Sequence, residues 1–165
     1  MIVEATKDEI LSNYGGPVSK VTNIDIRLFQ VNPKTKTLVF KVADRGPNGS
    51  GRTHLSTIRM IDHRYLTKDD DLSHRDRVDL AFNDGNLLVY CSCESYLYGG
   101  FQYIDWVLDY GIRKELRRPV RNNPREVGSV CKHLYGVLSD FNYWIPQVAD
   151  IFANAKANNY RVVTL

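Results

Sequence analysis

The 165-residue chain is short of several things, and each shortage excludes something. No apolar run approaches the roughly 18 residues that a membrane span needs. The segment Met1 to Leu11 carries acids and lacks the basic-then-apolar order of a signal peptide, so a soluble, non-secreted protein is expected. Charge of one sign is scarce. Lys and Arg number 22 against 19 Asp and Glu, a net +3 that does not by itself imply a nucleic-acid partner. Internal repeats are lacking. Hydrophobic residues at 43% and charged residues at 25% exclude a disordered chain, a collagen-like chain and a coiled coil. The glycine-containing loop Arg45 to Gly51 is not followed by Gly-Lys-Ser/Thr, which rules out a phosphate-binding loop of that type. Neither the His-x-Glu nor the Pro-Cys-x-x-Cys of a zinc deaminase occurs. His54, His63 and His74 fall at no recurring metal or base spacing. No acid–base constellation stands out, so a non-enzymatic protein is expected.

Cysteine is scarce too, but the three that exist are not scattered. Two form Cys91-Ser92-Cys93, and the third opens Cys131-Lys132-His133. An odd count argues against a closed disulfide set, and a reducing compartment disfavours disulfides altogether. Three thiols and one imidazole complete a four-ligand set of the kind structural zinc prefers in a tetrahedron. Iron is the alternative ion, though zinc is commoner. Without a metal, the same residues read as three buried structural thiols and a solvent-facing histidine.

Local patterns place the two pairs. Thr6-Lys7-Asp8-Glu9 is a capping box opening a helix to about Leu11, ended by Gly15-Gly16-Pro17. Alternating apolar residues predict strands over Val21 to Val31, through Leu38, Phe40 and Val42, over Leu55 to Ile61, and through Val78, Leu80 and Phe82. Asn32-Pro33-Lys34 turns the chain after the first of these. Asn83-Asp84-Gly85-Asn86 reads as a hairpin turn into a fifth strand that carries Cys91 and Cys93 at its far end. The run Lys68-Asp69-Asp70-Asp71 reads as solvated loop. Helical spacing follows at Phe101, Ile104, Val107 and Leu108, with Gly111 as a C-cap. It returns at Val130, Leu134, Val137, Leu138 and Phe141, which puts Cys131 and His133 in the first turn of a helix. The positive end of that helix favours a thiolate. Pro146 suits the start of a last helix, Gln147 to Ala157, and Val162 to Leu165 fits a terminal strand. The expected fold class is α+β: an N-terminal antiparallel β-meander or small sheet, then a zinc-stapled helical C-terminal part. The chain reads as a single domain, with a β-rich half (1–86), a zinc-binding unit (87–141) and a C-terminal helix and tail (142–165).

Cys-x-Cys followed at a distance by Cys-x-His entering a helix resembles the SWIM-type zinc finger. The likeness covers about a third of the chain and places the ligand positions on Cys91, Cys93, Cys131 and His133. The chain as a whole is similar to a class of small tailed-phage proteins. Tyr90 to Cys93, Phe101 to Trp106, Asn123-Pro124, Gly128 and Cys131 to Leu134 carry that likeness. It implies a virion component of the tail, neck or baseplate, made in the host cytoplasm, with other virion proteins as partners in a symmetric assembly.

Two surface readings remain. Arg113 to Arg125 sets six basic residues against one acid, the only strong charge asymmetry in the chain. Aromatic and Arg side chains are typical interface anchors. Tyr96, Tyr98, Tyr103, Arg113, Arg117, Arg118 and Arg121 are therefore the candidate partner-binding residues, with Phe101 and Trp106 beside them. The alternative is a SWIM-like nucleic-acid binder, in which the basic run neutralises phosphates and Tyr rings stack on bases.

Overall fold

The computed structural model describes residues 5–14, 23–45, 51–62, 71–123, 125, 128 and 130–165. The Gly15-Gly16-Pro17 helix stop, the 46–50 part of the loop after Arg45, His63, Lys68 to Asp70 and Pro124 lie outside these residues. No helix among the described residues is long and apolar enough to cross a membrane.

The fold is α+β, as the alternation and the helical spacing imply. Helix α1 (Lys7–Ser12) begins at the Thr6 capping box, both halves of which form. Strands β1 (Ile24–Asn32), β2 (Thr37–Asp44) and β3 (Thr53–Met60) follow as a meander. The Asn32 side chain accepts hydrogen bonds from the Lys34 and Thr35 backbone N–H groups, both at 3.1 Å, and so closes the first turn. After helix α2 (His74–Asn83), strand β4 (Leu87–Cys91) pairs antiparallel with β3. Helices α3 (Glu94–Tyr98), α4 (Phe101–Val107) and α5 (Lys132–Asp140) come next, then a 3-10 turn (Phe141–Tyr143), helix α6 (Ile145–Ala153) and strand β5 (Val163–Thr164). Pro146 sits in the first turn of α6, where its missing N–H costs nothing. The sheet order is β4-β3-β2-β1-β5, antiparallel throughout.

Among the described residues the sheet has five strands, but not the five the sequence suggests. Val78, Leu80 and Phe82 do not form a strand. They lie on α2, whose buried residues Val78, Ala81 and Phe82 follow the i, i+3, i+4 rule. Apolar alternation over three positions fits either period, and tertiary packing chooses between them. The deciding local signal is Ser73, whose Oγ accepts from the Asp76 N–H at 3.1 Å as the N-cap. Replacing Ser73 with Ala is expected to cost about 1 kcal/mol, read as a lower urea midpoint at unchanged slope. The expected hairpin turn is the end of this helix instead. The Asp84 and Gly85 N–H groups both return to the Leu80 carbonyl. A Cβ on Gly85 would stand 2.4 Å from the Ala81 carbonyl oxygen, which reserves the position for glycine. Gly111 is likewise not a C-cap. Leu108 caps α4, and Gly111 bridges in parallel to Val89 beside the sheet edge.

Residues directly opposite in an antiparallel pair share a face, as do residues two apart on a strand. The register therefore defines one inward face: Leu38, Phe40, Val42 and Asp44 on β2; Ile58, Ser56 and His54 on β3; Leu87, Val89 and Cys91 on β4. At one end the face is aliphatic. At the other it turns polar with Asp44, His54, Ser56 and Cys91. Helix α5 packs across β1, β3 and β4 and delivers its N-terminus to that polar end.

Candidate metal centre

Four side chains meet there. Cys91 ends β4, and Cys93 is the N-cap of α3, with its Sγ accepting from the Tyr96 N–H at 3.4 Å. Cys131 is the N-cap of α5, and His133 lies in the first turn of that helix. All four are buried, His133 at 3% exposure, so the histidine is not the solvent-facing one that a metal-free reading expects. Their ligand atoms all lie within 4.8 Å of one another. A tetrahedral ion with metal–sulfur bonds of about 2.3 Å sets its ligands about 3.5–3.8 Å apart, so a small contraction closes the shell. The Cys91 Sγ stands 4.0 Å from His133 Nδ1, which identifies Nδ1 as the nitrogen on the sulfur side. The four residues fit one metal ion, and the donor set is the sequence-derived one.

The protonation of the thiols points the same way. Burial pushes the Cys91 thiol up to about 12. Burial, then the neighbouring sulfurs Cys91 and Cys93, holds Cys131 well above the ordinary thiol range. Hydrogen bonds from the Cys131 and Cys91 thiols lower Cys93. Three buried sulfurs this close resist ionising together, because burial and their mutual repulsion both disfavour the charged forms. A divalent ion lets all three ionise, and its binding free energy becomes folding free energy. The Ser56 Oγ also donates to Cys91 Sγ at 3.6 Å.

No protein-family model, curated protein or solved structure matches this chain.

Two residues beside the cluster were not legible as site residues. Asp44 Oδ1 lies 3.2 Å from His133 Nε2 and is ion-paired with the Lys132 ammonium. His54 packs its ring on His133, with centroids 4.7 Å apart, and places Nε2 4.0 Å from Asp44 Oδ2. Burial tends to raise the Asp44 carboxyl, but hydrogen bonds from Lys132 and His133 outweigh it and the net shift is downward. A signal existed for both. Each continues a buried strand alternation, from Val42 to Asp44 and from Ile58 through Ser56 to His54, with a polar residue where an apolar one is due.

The candidate partner-binding residues divide. Tyr98, Tyr103, Arg117, Arg118 and Arg121 line one cleft of about 250 Å³, together with Pro119. Arg113 goes elsewhere: its guanidinium stacks on the Tyr90 ring at 4.2 Å and donates to the Tyr90 hydroxyl at 3.2 Å. Tyr96 does not belong with them, contrary to the expectation from its Tyr-rich run. It is fully buried, and its hydroxyl donates to the buried Asp105 carboxylate, so it belongs to the core. Phe101, Tyr103 and Trp106 are half-buried, and Tyr98 is 66% exposed. Arg117 clasps the one acid of the run. It donates from Nε at 3.0 Å and Nη2 at 2.6 Å to the Glu115 carboxylate. The hydrogen bonds of Arg117 hold that carboxyl at about 2.

Proposed function

We propose that this chain is a non-enzymatic structural protein. One zinc ion holds its fold, and its role is to make protein–protein contacts within a larger assembly. The reading of that assembly as a tailed-phage virion, at its tail, neck or baseplate, rests on the resemblance of the Tyr90–Cys93 and Cys131–Leu134 motifs and on nothing in the fold.

One observation carries the contact role. Of the ten exposed large apolar residues among the described residues, five lie between the two ligand pairs: Tyr98, Val107, Leu108, Leu116 and Val120. Helix α4 even turns Gln102 and Asp105 inward and Val107 outward. Such exposure beside arginines is the composition of an interface. The metal ligands pin both ends of this segment, which would hold its surface in one shape. A set of four protein ligands leaves no open coordination position for substrate, which supports a structural rather than a catalytic ion. The arginines of the Tyr98 cleft outnumber its one acid, already paired with Arg117. A partner surface carrying carboxylates and an apolar anchor therefore fits this cleft.

Elemental analysis of the purified full chain tests the first half, with one zinc per chain expected and iron or no metal overturning it. DNA binding across a salt series tests the second. The expected result is no specific retention at physiological salt. An affinity that falls steeply with log salt would replace the protein-contact reading with the nucleic-acid one.

A further inference from the structure

Resting on the reading that the cluster holds a metal, we infer that Asp44 is the positioning residue of the centre. It fixes the histidine tautomer that offers Nδ1 to the ion.

His133 stands between two sets of partners. Its Nδ1 faces the sulfurs, and its Nε2 is 3.2 Å from Asp44 Oδ1. A neutral imidazole has one N–H and one lone pair. A carboxylate only accepts, so Asp44 draws the proton to Nε2 and leaves the Nδ1 lone pair facing the thiols. Outer carboxylates of this kind orient a ligating histidine and raise its basicity. Asp44 is itself held in place. Lys132 and His133 reach it from α5, and His54 reaches it from β3. The contact spans 89 residues of sequence and ties β2 to the zinc-binding unit.

Asp44, His54 and His133 also bring three ligand atoms within 4.8 Å of one another, which raises the question of a second ion. The partners argue against it. A cation there would have to displace the Lys132 ammonium from Oδ1. It would also have to take the Nε2 proton and leave His133 an imidazolate between two metals. Asp44 therefore serves the ion in the cysteine cluster rather than binding one of its own.

The test uses the full chain and its Asp44→Ala and Asp44→Asn variants, with zinc competed against a chelating indicator and the histidine nitrogens followed by 15N NMR. One zinc per chain is expected in all three. Affinity should fall about 10–100-fold in Asp44→Ala. The loss should be smaller in Asp44→Asn, which keeps an acceptor oxygen. The zinc-loaded parent should show a slowly exchanging proton on His133 Nε2, and Asp44→Ala should lose it. Unchanged zinc affinity in Asp44→Ala, with melting lowered equally with and without zinc, would overturn the inference and leave Asp44 a plain structural residue. Two zinc ions in the parent would overturn it as well. A parent that binds no zinc fails the underlying reading before any variant is compared.

Discussion

Chelating the metal, or replacing Cys131 with Ser, is expected to lower the melting temperature by roughly 8–16 °C. A ligand present at a thousand times its dissociation constant stabilises the folded state by about 4 kcal/mol, and a chain of this size shifts by about 2–4 °C per kcal/mol. The serine oxygen is a harder and weaker ligand than a thiolate, yet it nearly preserves the volume of a side chain that is 3% exposed. The packing defect is therefore small, and the change reports the ion. The control is the metal-stripped parent. Stripped parent and Cys131→Ser should melt together, and added zinc should rescue only the parent. Local effects should be larger than global ones. Cys91 and Cys93 hold one end of the segment to β4 and α3, while Cys131 and His133 hold the other to α5. Hydrogen exchange through residues 94–123 should accelerate most on stripping, since the proposed ion would hold that stretch at both ends. A stripped protein that melts with the loaded one would show that burial alone holds the thiols in place.

How much of this site the sequence displays depends on what kind of signal each residue leaves. The four ligands are legible because their chemistry is rare and clustered: every cysteine in the chain belongs to one of two short pairs. The strand under Cys91 and the helix under His133 are legible because each has an unbroken apolar period. Asp44 and His54 are harder to see. Aspartate at a strand end is ordinary, so the alternation that carries each is a weak signal until the register sets Phe40, Ser56 and Cys91 side by side on a shared inward face. The α2 segment misleads for a related reason. Val78, Leu80 and Phe82 alternate, but Leu80 is only half-buried and Ala81 is fully buried. Alanine weighs little in an apolar pattern, so its inward position is silent. The short C-terminal strand is legible from Val162 and Val163, although its partner, β1, is not. Strand pairing between residues more than a hundred apart leaves no local trace. Tyr96 is the reverse case. Its neighbours in a Tyr-rich run suggest a surface, while a single acid nine residues on, Asp105, accepts its hydroxyl and draws it inside.

Away from the metal, the largest loss is expected at Phe141→Ala, at about 3–5 kcal/mol. Phe141 is fully buried in the 3-10 turn between α5 and α6. Its ring stacks on Phe82 at 3.5 Å between centroids and meets Phe40 edge-on at 6.0 Å. Phe40 in turn meets Trp144 at 5.2 Å. The Phe141 ring therefore joins the sheet to α2 and, through Phe40, supports the start of α6, and removing it opens a cavity whose walls cannot all close in. Aromatic pairs add about 0.5–1.5 kcal/mol beyond their buried area, so Phe82→Ala and Phe141→Ala should not sum. The double variant should fall short of the two single losses by roughly that amount. This defect should also be independent of the ion. Phe141 lies eight residues beyond His133, at the opposite end of α5 from the ligands. Denaturant midpoints for Phe141→Ala should therefore drop equally in zinc-loaded and stripped protein, whereas Cys131→Ser should matter only when zinc is present. A Phe141→Ala effect that vanished on stripping would mean that the aromatic cluster and the metal centre fold as one unit. The zinc would then set the helical layer over the sheet rather than only the segment it clamps.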